Sequence, residues 1–156
     1  MKIIEITLSV SAVTPLLDLL LNVAGELKTE PALPQDILRA PAKDLGDFWR
    51  DELLAAQTDD CGKFFALFTN DKFLSKGTIQ ITPENSDPVL RACAAMRLRL
   101  RATHPEALDE RVLQATDKLP KDPALSRVLL AYVFLAELQN ILLGNRTPHD
   151  PAPPSA

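Results

Sequence analysis

Glycine is scarce in this sequence, at 5 of 156 residues, and none of the five stands in a phosphate-cradling loop of the P-loop or dinucleotide type. A backbone that wraps a nucleotide is excluded on that ground. Histidine is scarcer still: His104 sits beside a proline and His149 near the end of the chain, so neither is placed to take a proton from a nucleophile. The two cysteines, Cys61 and Cys93, are too few for a disulfide framework and lack metal-ligand spacing. Both read as buried thiols of a protein in a reducing, cytoplasmic compartment. Carboxylates are plentiful, but pairs such as Asp51-Glu52, Asp59-Asp60 and Asp109-Glu110 diverge by about 100° around a helix. No further carboxylate or histidine recurs at helical spacing to complete a metal or acid–base site. The expectation is a protein that is not an enzyme and carries no cofactor and no metal.

Long hydrophobic runs are missing as well. Glu5 interrupts the apolar N-terminus, Asp18 splits the next run, and no small-residue cleavage site follows, which argues against a signal peptide. The most apolar segment, Val128 to Leu138, falls well short of the roughly 20 residues of a membrane helix. It reads as a core helix, and no membrane association is expected. Aromatic residues make up 5% of the chain, and none interleaves with Arg97, Arg99 and Arg101 as base stacking requires.

What is present is a globular composition: 46% hydrophobic and 24% charged, in a chain long enough for one core to bury most of its apolar surface. The sequence reads as one domain over residues 1–146, followed by a proline-rich tail, 147–156, with nothing to bury and expected to be disordered. Net charge is −4, unevenly spread. Residues 1–60 carry 5 basic and 11 acidic side chains, 61–104 carry 7 and 3, and 105–156 carry 5 and 7. Only the middle third is basic, which favours a local basic face over a general affinity for polyanions.

The pattern predicts a mainly α fold: a single compact multi-helix domain with one small two-stranded β element, residues 3–10 paired with 77–82. Residues 3–10 alternate Ile4, Ile6, Leu8 and Val10 against Glu5, Thr7 and Ser9, the period of a half-buried strand. Thr14-Pro15 then opens a helix to about Lys28, with Leu16, Leu17, Leu19, Leu20, Val23 and Leu27 as its apolar side. Pro31, Pro34 and Pro41 make 29–43 irregular, with room for one helical turn at Gln35 to Arg39. Leu45, Phe48, Trp49, Leu53 and Ala56 share a helical face, and Asp59-Asp60 ends that helix and caps the next. The next runs from Cys61 to Lys76, carries four of the six phenylalanines and stops at Gly77. Residues 77–82 alternate again, and an isolated strand would leave its ladder groups unpaired, so this segment pairs with 3–10.

Two starts are open for the following helix, Thr82-Pro83-Glu84 or Ser86-Asp87-Pro88, and it runs to about Ala102. Thr103-His104-Pro105-Glu106 has the form of a capping box and starts a shorter helix to about Lys118. The last helix spans Asp122-Pro123 to Gly144-Asn145. Its Leu125, Leu129, Tyr132, Val133, Ala136 and Ile141 exceed one stripe, so more than one side is expected to be covered.

The candidate binding groups are Arg97, Arg99 and Arg101, with Lys72 and Lys76 on the preceding helix. Arg97 and Arg101 stand one turn apart and can grip a phosphate or carboxylate, whereas Arg99 points elsewhere. Set against this is ordinary solvation of the helix and pairing with the acidic N-terminal third. Read instead as a strand, the Arg-Leu alternation would put all three arginines on one face; the proline-capped start and the alanines before it favour helix. Trp49, the sole tryptophan, sits beside Phe48 among Asp47, Arg50, Asp51 and Glu52. Core packing competes there with a role as an interface anchor.

The order of segments, with an acidic pair before the phenylalanine helix, a short strand ending in Thr82 and then Met96-Arg97-Leu98-Arg99-Leu100, resembles a largely helical bacterial family catalogued as a domain of unknown function and best known from actinobacteria. The resemblance covers about residues 3–115, and its sharpest piece is the Arg97-Leu98 pair after the strand-to-helix turn. Where that family carries a tryptophan early in this helix and a glycine after the Arg-Leu segment, this chain has Val89-Leu90 and Arg101-Ala102. Members are gene neighbours of the adaptor of the Clp protease, so the resemblance implies an accessory or regulatory protein of proteolysis. The leading expectation is a non-enzymatic module that docks a protein partner or another copy of itself. The alternative is a winged-helix-like nucleic-acid binder presenting residues 88–102, and a small enzyme ranks third.

Overall fold

The computed structural model describes residues 3–30, 43–105, 107–108 and 122–146, with backbone alone for 43–48 and 145–146. Strand β1 (Ile4–Thr7) is short because Ser9 caps a helix: its side chain accepts from the Ala12 N–H at 3.3 Å, and α1 (Val10–Glu26) follows. The strand expected over 3–10 is thus halved, and Thr14-Pro15 lies inside the helix it was expected to open. Pro15 has no N–H for the Ser11 carbonyl, and the Thr14 hydroxyl donates back to the Val10 carbonyl at 2.7 Å. Ser11 is exposed, so water can serve its carbonyl at little cost.

Helix α2 (Lys43–Ala66) runs unbroken through Asp59 and Asp60, where the sequence pattern ends one helix and starts another. Helix propensity is a weak prior, and here partners override it. Asp59 pairs with Lys63 one turn on at 3.1 Å, while Asp60 is buried against Arg91. The same helix closes the end of α1, which has no basic residue in its last turn. Gln57 Nε2 donates to the Leu27 carbonyl at 3.1 Å and Arg50 to the Thr29 carbonyl at 2.9 Å, satisfying acceptors that a helix end leaves open.

The single helix expected over 61–76 is two. The N–H groups of Leu67 and Phe68 reach only three residues back, to Phe64 and Phe65. Asn70 then caps α3 (Asp71–Lys76) by accepting from the Phe73 N–H at 2.9 Å. Gly77 ends α3 with φ 70°, the left-handed conformation that glycine adopts without strain. Strand β2 (Thr78–Ile81) follows and pairs antiparallel with β1, Ile4 opposite Ile81 and Thr7 opposite Thr78. Glu5 accepts from Gln80 at 3.0 Å across the exposed side, and Ile79 and Ile81 are fully buried on the other.

Helix α4 (Pro83–Thr103) uses the first of its two possible starts: Asn85 Oδ1 accepts from the Thr82 N–H at 2.8 Å. Thr103 is the last residue of this helix, its hydroxyl donating to the Arg99 carbonyl at 3.0 Å. Apart from residues 103–105 and 107–108, the helix expected from Thr103 to Lys118 lies outside the described residues. So do most of the proline segment, including Gln35 to Arg39, and the tail. Helix α5 (Pro123–Arg146) begins where Asp122 accepts from the Ala124 N–H at 2.9 Å.

Helix α4 is central: it packs on α2 and on α5, and α1 lies against α4 and α5. Val89, Ala92, Cys93, Met96 and Leu100 of α4 are fully buried, with Leu20, Phe64, Phe73 and Leu135 around them. The rings of Phe64, Phe65, Phe68 and Phe73 form a chain at centroid distances of 5.0 to 5.2 Å, extended by Phe134 of α5 at 6.1 Å. The described elements share one core, and the fold is mainly α with a small antiparallel strand pair, the class the sequence predicts.

The stretch that looked too short to cross a membrane is in fact part of a longer helix, and Pro123–Gly144 is long and apolar enough to do so by length and composition. Leu129, Ala131, Tyr132, Leu135, Leu138 and Leu142 are buried in the core. Leu125, Val133 and Ile141, expected to be covered, are 38%, 38% and 37% exposed.

Candidate interaction surfaces

Four arginines of α4 leave the helix in different directions, because successive residues turn by about 100°. Arg91 meets Asp60 in a two-point contact, Nε to Oδ2 and Nη2 to Oδ1, both at 3.0 Å. Arg99 is held by the acidic N-terminal third: Nε reaches Glu26 Oε1 and Nη1 reaches Glu30 Oε2, both at 2.7 Å. The hydrogen bond to Glu26, and then that to Glu30, holds the Arg99 guanidinium above its usual pKa. Arg91 is raised in the same direction by its bond to Asp60.

Arg97 turns into the seam between α4 and α5. It donates to Gln139 Oε1 and to the Tyr132 hydroxyl at 3.1 Å, and its guanidinium carbon lies 4.7 Å from the Tyr132 ring centroid. No carboxylate pairs with it among the described residues, and its buried Nε has no hydrogen-bond partner. The adjoining tyrosine ring offers its negative face to the charge. Gln139 also donates to the Leu90 carbonyl at 3.5 Å, so one side chain of α5 bridges two turns of α4.

Arg101 is exposed on α4, and Lys72 and Lys76 are exposed on α3. Of the three arginines proposed from sequence as a binding group, the fold therefore separates one into an ion-pair network and one into a helix seam, leaving Arg101 at the surface.

Trp49 is 56% exposed, so the core-packing reading of its helical spacing gives way to the surface one. Other large apolar side chains at the surface include Ile3, Leu21, Leu74, Leu98, Leu130 and Leu143. The periodicity gave no warning of these, except that Leu98 and Leu100 alternate with arginines and cannot both face inward on a helix.

The thiols of Cys61 and Cys93 are buried and free. Burial, and secondarily the Asp60 carboxylate, pushes Cys61 up to about 11; burial pushes Cys93 up to about 12. Neither is a nucleophile at neutral pH. Among the described residues no group of three or more histidines, cysteines and carboxylates is placed to hold a metal ion.

Fold and surface together define a mainly helical domain whose polar chemistry is spent on joining its own helices. No family model, no curated protein and no solved structure matches the chain.

Proposed function

We propose that this protein is a non-enzymatic interaction module that docks a protein partner through the exposed side of α2 around Trp49. The observation that carries the reading is the exposure of the sole tryptophan, at 56%, next to Arg50, Asp51 and Glu52. A large amphipathic ring left in water beside charged neighbours is the usual make-up of an interface anchor with a polar rim. Buried thiols and the engaged arginines of α4 support a binding role over catalysis in a reducing cytoplasm. The resemblance to a family neighbouring the Clp protease adaptor makes an accessory role in regulated proteolysis the specific form of this proposal.

The test is affinity capture from the source cell with the wild-type chain and with Trp49→Ala in parallel. The wild type is expected to retain a specific protein that Trp49→Ala loses at least tenfold, with the Trp49 emission shifting to the blue when the purified partner is added. Equal retention by both forms, or none by the wild type, overturns the proposal. The nucleic-acid alternative requires Arg97 and Arg101 to act together on a polyanion, and Arg97 is committed to Tyr132 and Gln139. Absence of any mobility shift with mixed DNA and RNA at low salt removes it.

A further inference from the structure

We infer that the outward side of α5 pairs antiparallel with α5 of a second copy of this chain. This goes beyond the Trp49 reading and uses a different surface. Arg127, Leu130, Phe134 and Glu137 follow one another at steps of three, four and three residues, the spacing at which two helices interlock side chains. Arg127, Leu130 and Glu137 are exposed, Leu130 to 43%, and Phe134 is half-buried at the edge of the core; Val133, 38% exposed, flanks them. The other side of the helix stays committed to α4 and α1 through Val128, Tyr132 and Leu135, so pairing needs no rearrangement.

The charges choose the partner and its direction. Arg127 and Glu137 bracket the apolar pair, about 15 Å apart along the axis at 1.5 Å per residue. Neither is in an ion pair among the described residues. With a two-fold axis passing at the level of Tyr132, Arg127 meets the partner's Glu137, Leu130 meets the partner's Phe134, and each contact occurs twice. A parallel arrangement would instead set Arg127 against the partner's Arg127. A bilayer would have to take up the charge at each end of the apolar pair, whereas a second copy neutralises both.

Light scattering over rising protein concentration at low salt, with folding checked by circular dichroism, tests this on five proteins: the wild type, Arg127→Glu, Glu137→Arg, the double swap, and Leu130→Glu. The wild-type mass is expected to rise from the 17.1 kDa of the monomer toward twice that value. Each single charge reversal and Leu130→Glu should remain at the monomer mass, and the double swap should associate again. Leu98→Glu, at an exposed position on α4, and Trp49→Ala should both associate like the wild type, which separates failure of this pairing from failure of the Trp49 reading. A monomer at every concentration, single variants that still associate, or a double swap that does not recover overturns the inference. So does uptake of the wild type, but not Leu130→Glu, by phosphatidylglycerol-containing vesicles, which would make the stripe a membrane surface.

Discussion

At the scale of single residues, adjacent aspartates have opposite fates. Asp59, 66% exposed, pairs with Lys63 in water, where such a bond contributes about 0–1 kcal/mol. Asp60, 8% exposed, depends on Arg91, whose head stays at the surface while its fork grips the carboxylate. Removing the guanidinium leaves a buried acceptor unsatisfied, so Arg91→Ala should cost about 1–3 kcal/mol. It should appear as a lower urea midpoint at unchanged slope, while Lys63→Ala shifts it by less than about 0.5 kcal/mol. Sequence alone gave these residues the same description, because burial depends on α4, which passes 31 residues later in the chain.

The thiols make a second residue-scale prediction. A thiol raised from 9.0 to about 11 or 12 on folding stays protonated in the native state at pH values where the unfolded chain ionises. The sign follows: this stabilisation is complete below about pH 9 and is lost as pH rises through the folded values. The native chain should resist iodoacetamide at pH 8 and take two labels once unfolded, read by mass. Cys93→Ala should flatten the fall of the urea midpoint between pH 9 and 11. Burial of Cys93 was legible from the alanines around it, whereas Cys61, between Asp60 and Gly62, is buried through the helical spacing it shares with Phe64 and Phe68.

Among the elements, the strand pair and the turn before it carry the tightest constraint. Gly77 has positive φ, and a methyl group there would run into the Leu8 carbonyl, while the Leu8 N–H donates to the Gly77 carbonyl at 2.7 Å. Gly77→Ala is therefore expected to destabilise by more than the roughly 1–2 kcal/mol of left-handed backbone alone. Gly25, with open space at its Cβ, should accept alanine without loss. Strand pairing was readable because alternation and the need to fill ladder groups point the same way. Helix boundaries were not: Ser9 outcompetes Thr14-Pro15 as a cap, and Asn70 splits the phenylalanine helix, since each choice depends on how the flanking strand or core already holds the chain. The scattering of the arginines followed from helical geometry, but their partners Glu26, Glu30, Tyr132 and Gln139 lie 35 to 73 residues away and left no local signal.

For the whole molecule, the strand pair is expected to close late in folding. Its register joins Ile4 to Ile81 and Thr7 to Thr78, so the ladder closes only after a loop of more than 70 residues has been drawn together. Each helix between them forms from local contacts, whereas closing the ladder carries the entropy cost of that long loop. On that expectation the clasp acts as a latch on a nearly finished structure. In a chevron plot, the loss caused by Gly77→Ala should fall mainly on the unfolding limb, leaving the folding rate close to that of the wild type. What the latch sets is how long the assembled protein lasts before it opens.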